Sequence, residues 1–193
     1  MKIASGKFRG MEIATPRGNK TRPTGGRLKK SLFDILAPKL PGARVLDLFA
    51  GAGALGLEAL SRGAVHVTFV ERSRAAADTV RKNLERLGLG EEAELLRREV
   101  VSAIGFLAEQ EQTFDIILLD PPYQSDLHAS LLQRIGAASL VSHEGLVILE
   151  HHHKTALADA YGGLTRVREV RAGESCLSFY SALRFCISGT AIG

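Results

Sequence analysis

Val45-Leu46-Asp47-Leu48-Phe49 runs directly into Ala50-Gly51-Ala52-Gly53-Ala54-Leu55-Gly56. The first five residues read as a buried strand. Leu55 to Arg62, closed by Gly63, reads as a helix. Between them, residues 51–56 spell G-x-G-x-x-G. Glycine tolerates left-handed backbone and lets another group approach closely. Glu71 closes the next apolar run, Val65 to Val70, about 20 residues further on, where an acid can accept ribose hydroxyls. This spacing predicts a nucleoside cofactor over the turn, with Asp47, Phe49, Gly51, Gly53 and Glu71 around it. A glycine turn needed only for tight packing is the plainer alternative.

Working outward, strands and helices alternate. Ser73 can cap a helix running to Leu87, with Gly88 at its end. Ala93 to Leu96 reads as a strand, Val100 to Glu109 as a helix and Phe114 to Leu119 as the fourth strand. Leu127 to Leu140 follows as a helix and Gly145 to Glu150 as the fifth strand. This order predicts an α/β, Rossmann-like fold, a mostly parallel sheet with helices on both faces. Arg166 to Arg171 and Ser175 to Phe185 have no helix between them and predict an antiparallel C-terminal hairpin. Before the first strand, Leu28, Leu32, Ile35 and Leu36 share one face of a helix of about two to three turns, stopped by Pro38 and Pro41. Ile3, Phe8, Met11 and Ile13 are spaced as anchors of an N-terminal β-hairpin extension, followed by the loop from Asn19 to Thr24.

The fourth strand ends in Asp120-Pro121-Pro122-Tyr123. In an open α/β sheet the carboxyl ends of the strands form the ligand-binding rim. Two prolines stiffen the turn and remove backbone donors. Asp120 and the Pro121 carbonyl can accept hydrogen bonds from an amino group, and Tyr123 offers a flat ring for stacking. A plain strand-to-loop turn with a buried tyrosine competes with this reading. A diphosphate over the glycine turn would be repelled by Asp47, whereas a cationic amino-acid group would be attracted. That favours S-adenosylmethionine over a dinucleotide. Glu99, after the third strand, could accept the adenine amine, or could merely favour a helix N-terminus.

Residues 1–30 carry Lys2, Lys7, Arg9, Arg17, Lys20, Arg22, Arg27, Lys29 and Lys30 against Glu12 alone, a balance of +8 in a chain whose net charge is +4. The remainder is therefore net acidic. A basic arm on an acidic body points to phosphate binding at one end. Lys7, Arg9, Arg17, Lys20 and Arg27 are the candidate phosphate contacts, with Arg22 and Thr24 near the mouth of the site. No apolar run is long enough to predict a membrane span, and the start lacks the apolar core of a secretion signal. Cys176 and Cys186 suit a reduced, cytoplasmic protein and are expected at half-buried strand positions. His151-His152-His153 is expected in a loop after the fifth strand and no metal is expected. Asn83 is expected to make local hydrogen bonds, and Phe33 to pack in the core or, as the alternative, against the cofactor. Phe179 and Tyr180 alternate, so one is expected in the core and the other near a target base.

The segments from Asp47 to Gly56, Glu71 and Asp120 to Tyr123 resemble class I S-adenosylmethionine-dependent methyltransferases acting on amino or amide nitrogens. Gly6-Lys7-Phe8-Arg9-Gly10, Thr21-Arg22-Pro23-Thr24 and Ser31-Leu32-Phe33-Asp34-Ile35-Leu36 are similar to the RsmD family, bacterial small-subunit ribosomal RNA guanine-N2 methyltransferases. The resemblance covers essentially residues 3–186. It implies a seven-stranded sheet with an antiparallel last strand, and action on the exocyclic N2 amine of a guanine in small-subunit (16S) rRNA during subunit assembly. The implied division is a basic RNA-binding arm over 1–26, a methyltransferase domain over 27–187 and a frayed tail over 188–193. The family's usual Tyr-Gly-Asp-Thr hairpin turn is replaced here by Ala172-Gly173-Glu174-Ser175. A monomer is expected. The rival readings are an adenine or cytosine amino-methyltransferase acting on DNA or other RNA, a protein glutamine methyltransferase, a nicotinamide oxidoreductase and a binding-only RNA module. Only a nitrogen methyltransferase uses both the glycine turn and residues 120–123, and an amide-bearing protein substrate gives no reason for the basic arm.

Overall fold

The computed structural model describes residues 1–15, 23–121 and 127–182, with the side chains of residues 23–25 excepted. Its strands are β1 (Arg44–Asp47), β2 (His66–Val70), β3 (Ala93–Leu96), β4 (Phe114–Leu119), β5 (Val141–His152), β6 (Ala160–Tyr161), β7 (Leu164–Ala172) and β8 (Ser175–Ser181). They form one sheet of eight strands in the order β3-β2-β1-β4-β5-β8-β7-β6. The pairs from β3 through β5 are parallel, and β8 enters antiparallel to both β5 and β7. The α/β reading and the C-terminal hairpin therefore hold, but the sheet has eight strands rather than seven. The additional strand is Ala160-Tyr161, paired with Leu164 and Thr165. Two residues carry no readable periodicity. Their placement depends on tertiary packing: a Cβ at Gly136 would come within 2.3 Å of the Tyr161 carbonyl oxygen.

The chain steps outward from β1 to β3, then returns to place β4 on the other side of β1. That reversal makes the β1/β4 junction the crevice where ligands bind in open α/β sheets. Helices α1 (Pro23–Leu36), α2 (Ala54–Ser61), α3 (Arg74–Leu87), α4 (Val100–Glu109) and α5 (His128–Ala137) cover the faces. One core packs Leu28, Phe33, Leu57, Phe69 and Val80 against Ile116 and Leu118. The other packs Ile104, Leu107, Leu131 and Ile135 against Ile117 and Leu119. Burial on both faces explains why β4 reads as an unbroken apolar run rather than an alternating one.

Helix α1 is longer than the two to three turns expected, with 14 residues beginning at Pro23, and it spans the boundary at 26/27. It gives way at Leu36 to a 3-10 turn over Ala37–Lys39 that contains Pro38. Strand β5 starts four residues earlier than expected, and His151 and His152 belong to it rather than to a loop.

The N-terminal hairpin reduces to a single bridge, Lys2 to Glu12, closing a compact loop. Ile3 and Ile13 are nevertheless 3% exposed and belong to the first core. Burying each contributes about 1.5–3 kcal/mol relative to exposure. The loop is tied to α2: the Ala4 amide donates to Glu58 Oε2 (2.8 Å), the Lys7 amide to the Ser61 carbonyl (2.7 Å) and the Phe8 amide to Ser61 Oγ (3.0 Å). Gly6 has φ +83°, and a Cβ there would lie 1.7 Å from the Ser61 carbonyl oxygen, so no other residue fits. Residues 16–22, the expected continuation of the last strand to Phe185, Cys186 and the 188–193 tail fall wholly or largely outside the described residues.

Candidate active site

Asp47 ends β1, paired with Phe69 on β2 and with Leu118 on β4. Its side chain is 1% exposed. Oδ2 accepts the Gly56 amide at 3.1 Å, while Oδ1 has no hydrogen-bond partner. Burial raises its pKa to about 6, opposed by the amides of Gly56 and Phe49 and by Lys29, and assisted by Glu71. The Phe49 amide thus lies close enough to be felt without making a hydrogen bond of good geometry. A buried carboxylate with one empty oxygen fits a cationic partner.

The glycine turn carries Gly51 at φ +55° and Gly53 at φ +83°, the latter opening α2. A Cβ at Gly56 would meet Phe69 Cε1 at 2.3 Å, so this glycine serves helix–sheet packing. Nothing lies within 4 Å of a Cβ built on Gly51, which leaves open space above the turn. Glu71, just past β2, accepts the Gly51 amide at 2.9 Å through Oε2 and the Ser73 amide at 2.7 Å through Oε1. The acid and the turn that the sequence separates by 20 residues are thus in direct contact. Phe49 is half-buried and packs against the second core.

Asp120 follows β4 on the other side of the crevice, with Pro121 buried behind it. Asp120 is exposed as a residue, although neighbouring protein desolvates its carboxyl. Its carboxyl is held well above the ordinary carboxylate range, first by burial, then by the charges of Glu150 and Asp47. Asp47 and Asp120 therefore sense one another within one cleft. Pro122 and Tyr123 lie outside the described residues.

Glu99 is exposed and caps α4, its Oε2 accepting the Val101 amide at 3.0 Å. Among the basic residues, Lys7, Arg9 and Arg27 are exposed, with Lys7 Nζ lying 4.7 Å from the centroid of the Phe8 ring. Arg17, Lys20 and Arg22 lie outside the described residues, and Thr24 is described only as backbone in α1.

Several expectations are corrected. Asn83 is not a local residue: its side chain accepts the Ala14 amide at 2.7 Å and donates to the carbonyls of Ala14 (3.1 Å) and Ala52 (2.9 Å), joining the N-terminal loop to the glycine turn. Phe179 and Tyr180 are both buried, one in each core, so neither approaches a base. The Tyr180 hydroxyl donates to the Ala158 carbonyl at 3.1 Å. Cys176 is buried rather than half-buried. His151 is buried with Nε2 2.9 Å from Ser178 Oγ. Among the described residues no group of three or more His, Cys, Asp or Glu could hold a metal, and no helix is long and apolar enough to cross a membrane. Phe33 packs in the core as expected, beneath the Arg62 guanidinium at 5.0 Å.

Two neighbours of the cleft escaped the sequence reading. Lys29 donates to the Ala54 carbonyl at 2.8 Å behind the turn, its pKa lowered first by burial. Glu150 lies beside Asp120 on the next strand. A signal for it existed: an acid closes the apolar run Val147-Ile148-Leu149, as Glu71 and Asp120 close theirs.

The profile of the family described as conserved hypothetical protein 95 matches residues 1–181. YlbH of Bacillus subtilis (strain 168), a protein named for rRNA methylation, is 36% identical over 93% of this chain and 98% of its own length. Ribosomal RNA small subunit methyltransferase D of Escherichia coli (strain K12) is 33% identical over 93% of this chain and 89% of its own. Among solved structures, a methyltransferase-like protein of Escherichia coli, yhhF, superposes with a TM-score of 0.80 at 32% identity, covering 94% of this chain and 97% of its own.

Proposed function

We propose, because the chain belongs to the RsmD family of ribosomal RNA methyltransferases, that it methylates the exocyclic N2 amine of a guanine in small-subunit rRNA, with S-adenosylmethionine as cofactor. The observation that carries this reading is the pairing of two unlike carboxylates at one crevice. Asp47 is buried with an unpartnered oxygen, and Asp120 stands open at the mouth.

In this reading Asp47 and the amides of the glycine turn hold the amino-acid end of the cofactor. Glu71 accepts the ribose hydroxyls, using the lone pairs left beside its two amide bonds. Phe49, Gly51 and Gly53 shape the floor, and Glu99 faces the adenine from the start of α4. When bound, the cofactor supplies an electrophilic methyl group on a sulfonium.

The guanine amine is a poor nucleophile, because its lone pair is delocalised into the ring. Asp120 and the Pro121 carbonyl accept its two hydrogens and draw the nitrogen out of the ring plane. The lone pair then turns into the cleft, and the contribution of the site is chiefly orientation. Pro122 stiffens the turn, and Tyr123 stacks on a base pulled from its neighbours, a contact worth about 1–3 kcal/mol. The displaced proton can leave through Asp120 or to water. Lys7, Arg9, Arg17, Lys20, Arg22, Thr24 and Arg27 grip the rRNA backbone.

The test is labelled-methyl transfer to rRNA and to small subunits from cells lacking this protein, followed by nucleoside analysis. N2-methylguanosine in the small-subunit rRNA is expected. Label only in N6-methyladenosine or N4-methylcytidine would overturn the reading.

A further inference from the structure

We propose that Glu150 determines the choice of base, accepting the N1–H of the target guanine while Asp120 accepts from its N2 amine. This inference rests on the function proposed above and names the residue that makes guanine, rather than another amino-bearing base, the substrate.

Strands β4 and β5 are parallel, with Leu118 opposite Ile148 and Leu119 opposite Leu149. One residue beyond the end of that ladder lie Asp120, just past β4, and Glu150, still within β5. Alternation along a strand places them on the side that Leu118 and Ile148 occupy, both in the first core. Neighbouring strands lie about 4.8 Å apart. Two carboxylates therefore stand side by side where the sheet opens into the cleft, each within electrostatic reach of the other. The buried Asp47 carboxylate, from β1, also acts on Asp120 through its charge. Glu150 is half-buried, as a residue reading a base from the wall of a cleft should be.

The chemistry then selects the base. Guanine is the common base whose amine lies next to a ring N–H, so its edge shows two adjacent donors. Adenine N6 lies beside N1, and cytosine N4 beside N3, and both ring nitrogens are acceptors. A carboxylate at Glu150 attracts the guanine edge and repels the lone pair of the other two. The same tetrapeptide at 120–123 could serve any of these amines, so discrimination must come from a neighbouring residue. A site built to accept a hydrogen bond rejects an analogue lacking the donor more strongly than an apolar pocket could.

The probe is small-subunit rRNA carrying either guanine or 2,6-diaminopurine at the position the wild-type protein methylates. Diaminopurine keeps the N2 amine but presents a lone pair at N1. The wild-type protein is expected to prefer guanine by at least about 100-fold in kcat/KM. Glu150→Gln can donate from its amide to the N1 lone pair. It should lose guanine activity by about 10-fold or more and gain on diaminopurine, so that the preference collapses. Glu150→Asp, which keeps the charge, should retain the preference. S-adenosylhomocysteine affinity should be unchanged and the melting temperature should not fall in either variant, which separates base reading from a structural role. If Glu150→Gln keeps the wild-type preference, this inference is overturned while the proposed function stands. If the wild-type protein makes no N2-methylguanosine, both are overturned.

Discussion

The loops after β1 and β4 both leave the sheet at the same crevice, and both begin with an aspartate whose pKa is raised by burial. They are built differently. After β1 the backbone is anchored throughout: the Ala50 amide donates to Val70, the Gly51 amide to Glu71, the Gly56 amide to Asp47, and the Ala52 carbonyl accepts from Asn83. After β4, Asp120 opens to solvent against a buried proline. The first loop suits a small molecule that stays in one pose through a reaction. The second leaves its carboxylate within reach of a group arriving from solvent. The difference teaches that two carboxylates at one crevice can be set apart by their surroundings: Asp47 is walled in beside the turn it holds, and Asp120 is exposed to solvent.

Removing the exposed carboxylate should have the largest effect. Asp120→Ala is expected to lower turnover by on the order of 10²–10³-fold, with cofactor affinity by calorimetry nearly unchanged. Normal turnover in that variant would erase the contrast.

Asp47→Asn should do the reverse, weakening cofactor binding by about 10–100-fold through loss of a charge-assisted contact. It should also stabilise the ligand-free protein. The Asp47 pKa lies near 3.8 when unfolded and about 6 when folded. Below both values the group costs nothing. As pH rises from about 4 through about 6, the unfolded chain releases the proton first and folding loses about 3 kcal/mol. Melting curves of wild type and variant should therefore diverge over that window, with the variant more stable above it. Curves that stay parallel would show that Asp47 carries no such penalty.

Asn83→Ala tests what anchors the first loop. It should cost about 1–3 kcal/mol of stability through orphaned backbone groups, and amide exchange in residues 1–15 should quicken. The smallest effect is expected at the exposed basic residues. Lys7→Ala with Arg9→Ala should lower rRNA affinity modestly and reduce the slope of log affinity against log salt by about 2. An unchanged slope would remove these two residues from the RNA-facing surface.

Most of the fold was legible because local pattern and tertiary environment agree. The bounds of β3, α4 and β4 match the sequence reading residue for residue, since buried apolar runs are bracketed by polar or turn residues. Strand β6 was not legible, because two residues show no period. The early start of β5 was hidden by Ser142-His143-Glu144, whose polarity resembles a loop although Val141 pairs with Phe114. At the site, the glycine turn, Glu71 and Asp120 each carry a local motif. Glu150 and Asn83 do not. One is defined by strand register and the other by partners 31 and 69 residues away.

The docked loop at residues 1–15 has a consequence for how the protein is made. Its binding partners, Glu58, Ser61 and Asn83, are synthesised well after it. The segment must wait, with Ile3 and Ile13 uncovered, until α2 and α3 have formed. Among the described residues, the earliest translated are thus among the last to find their place, and a pause in synthesis before Asn83 would leave two isoleucines without a core to enter.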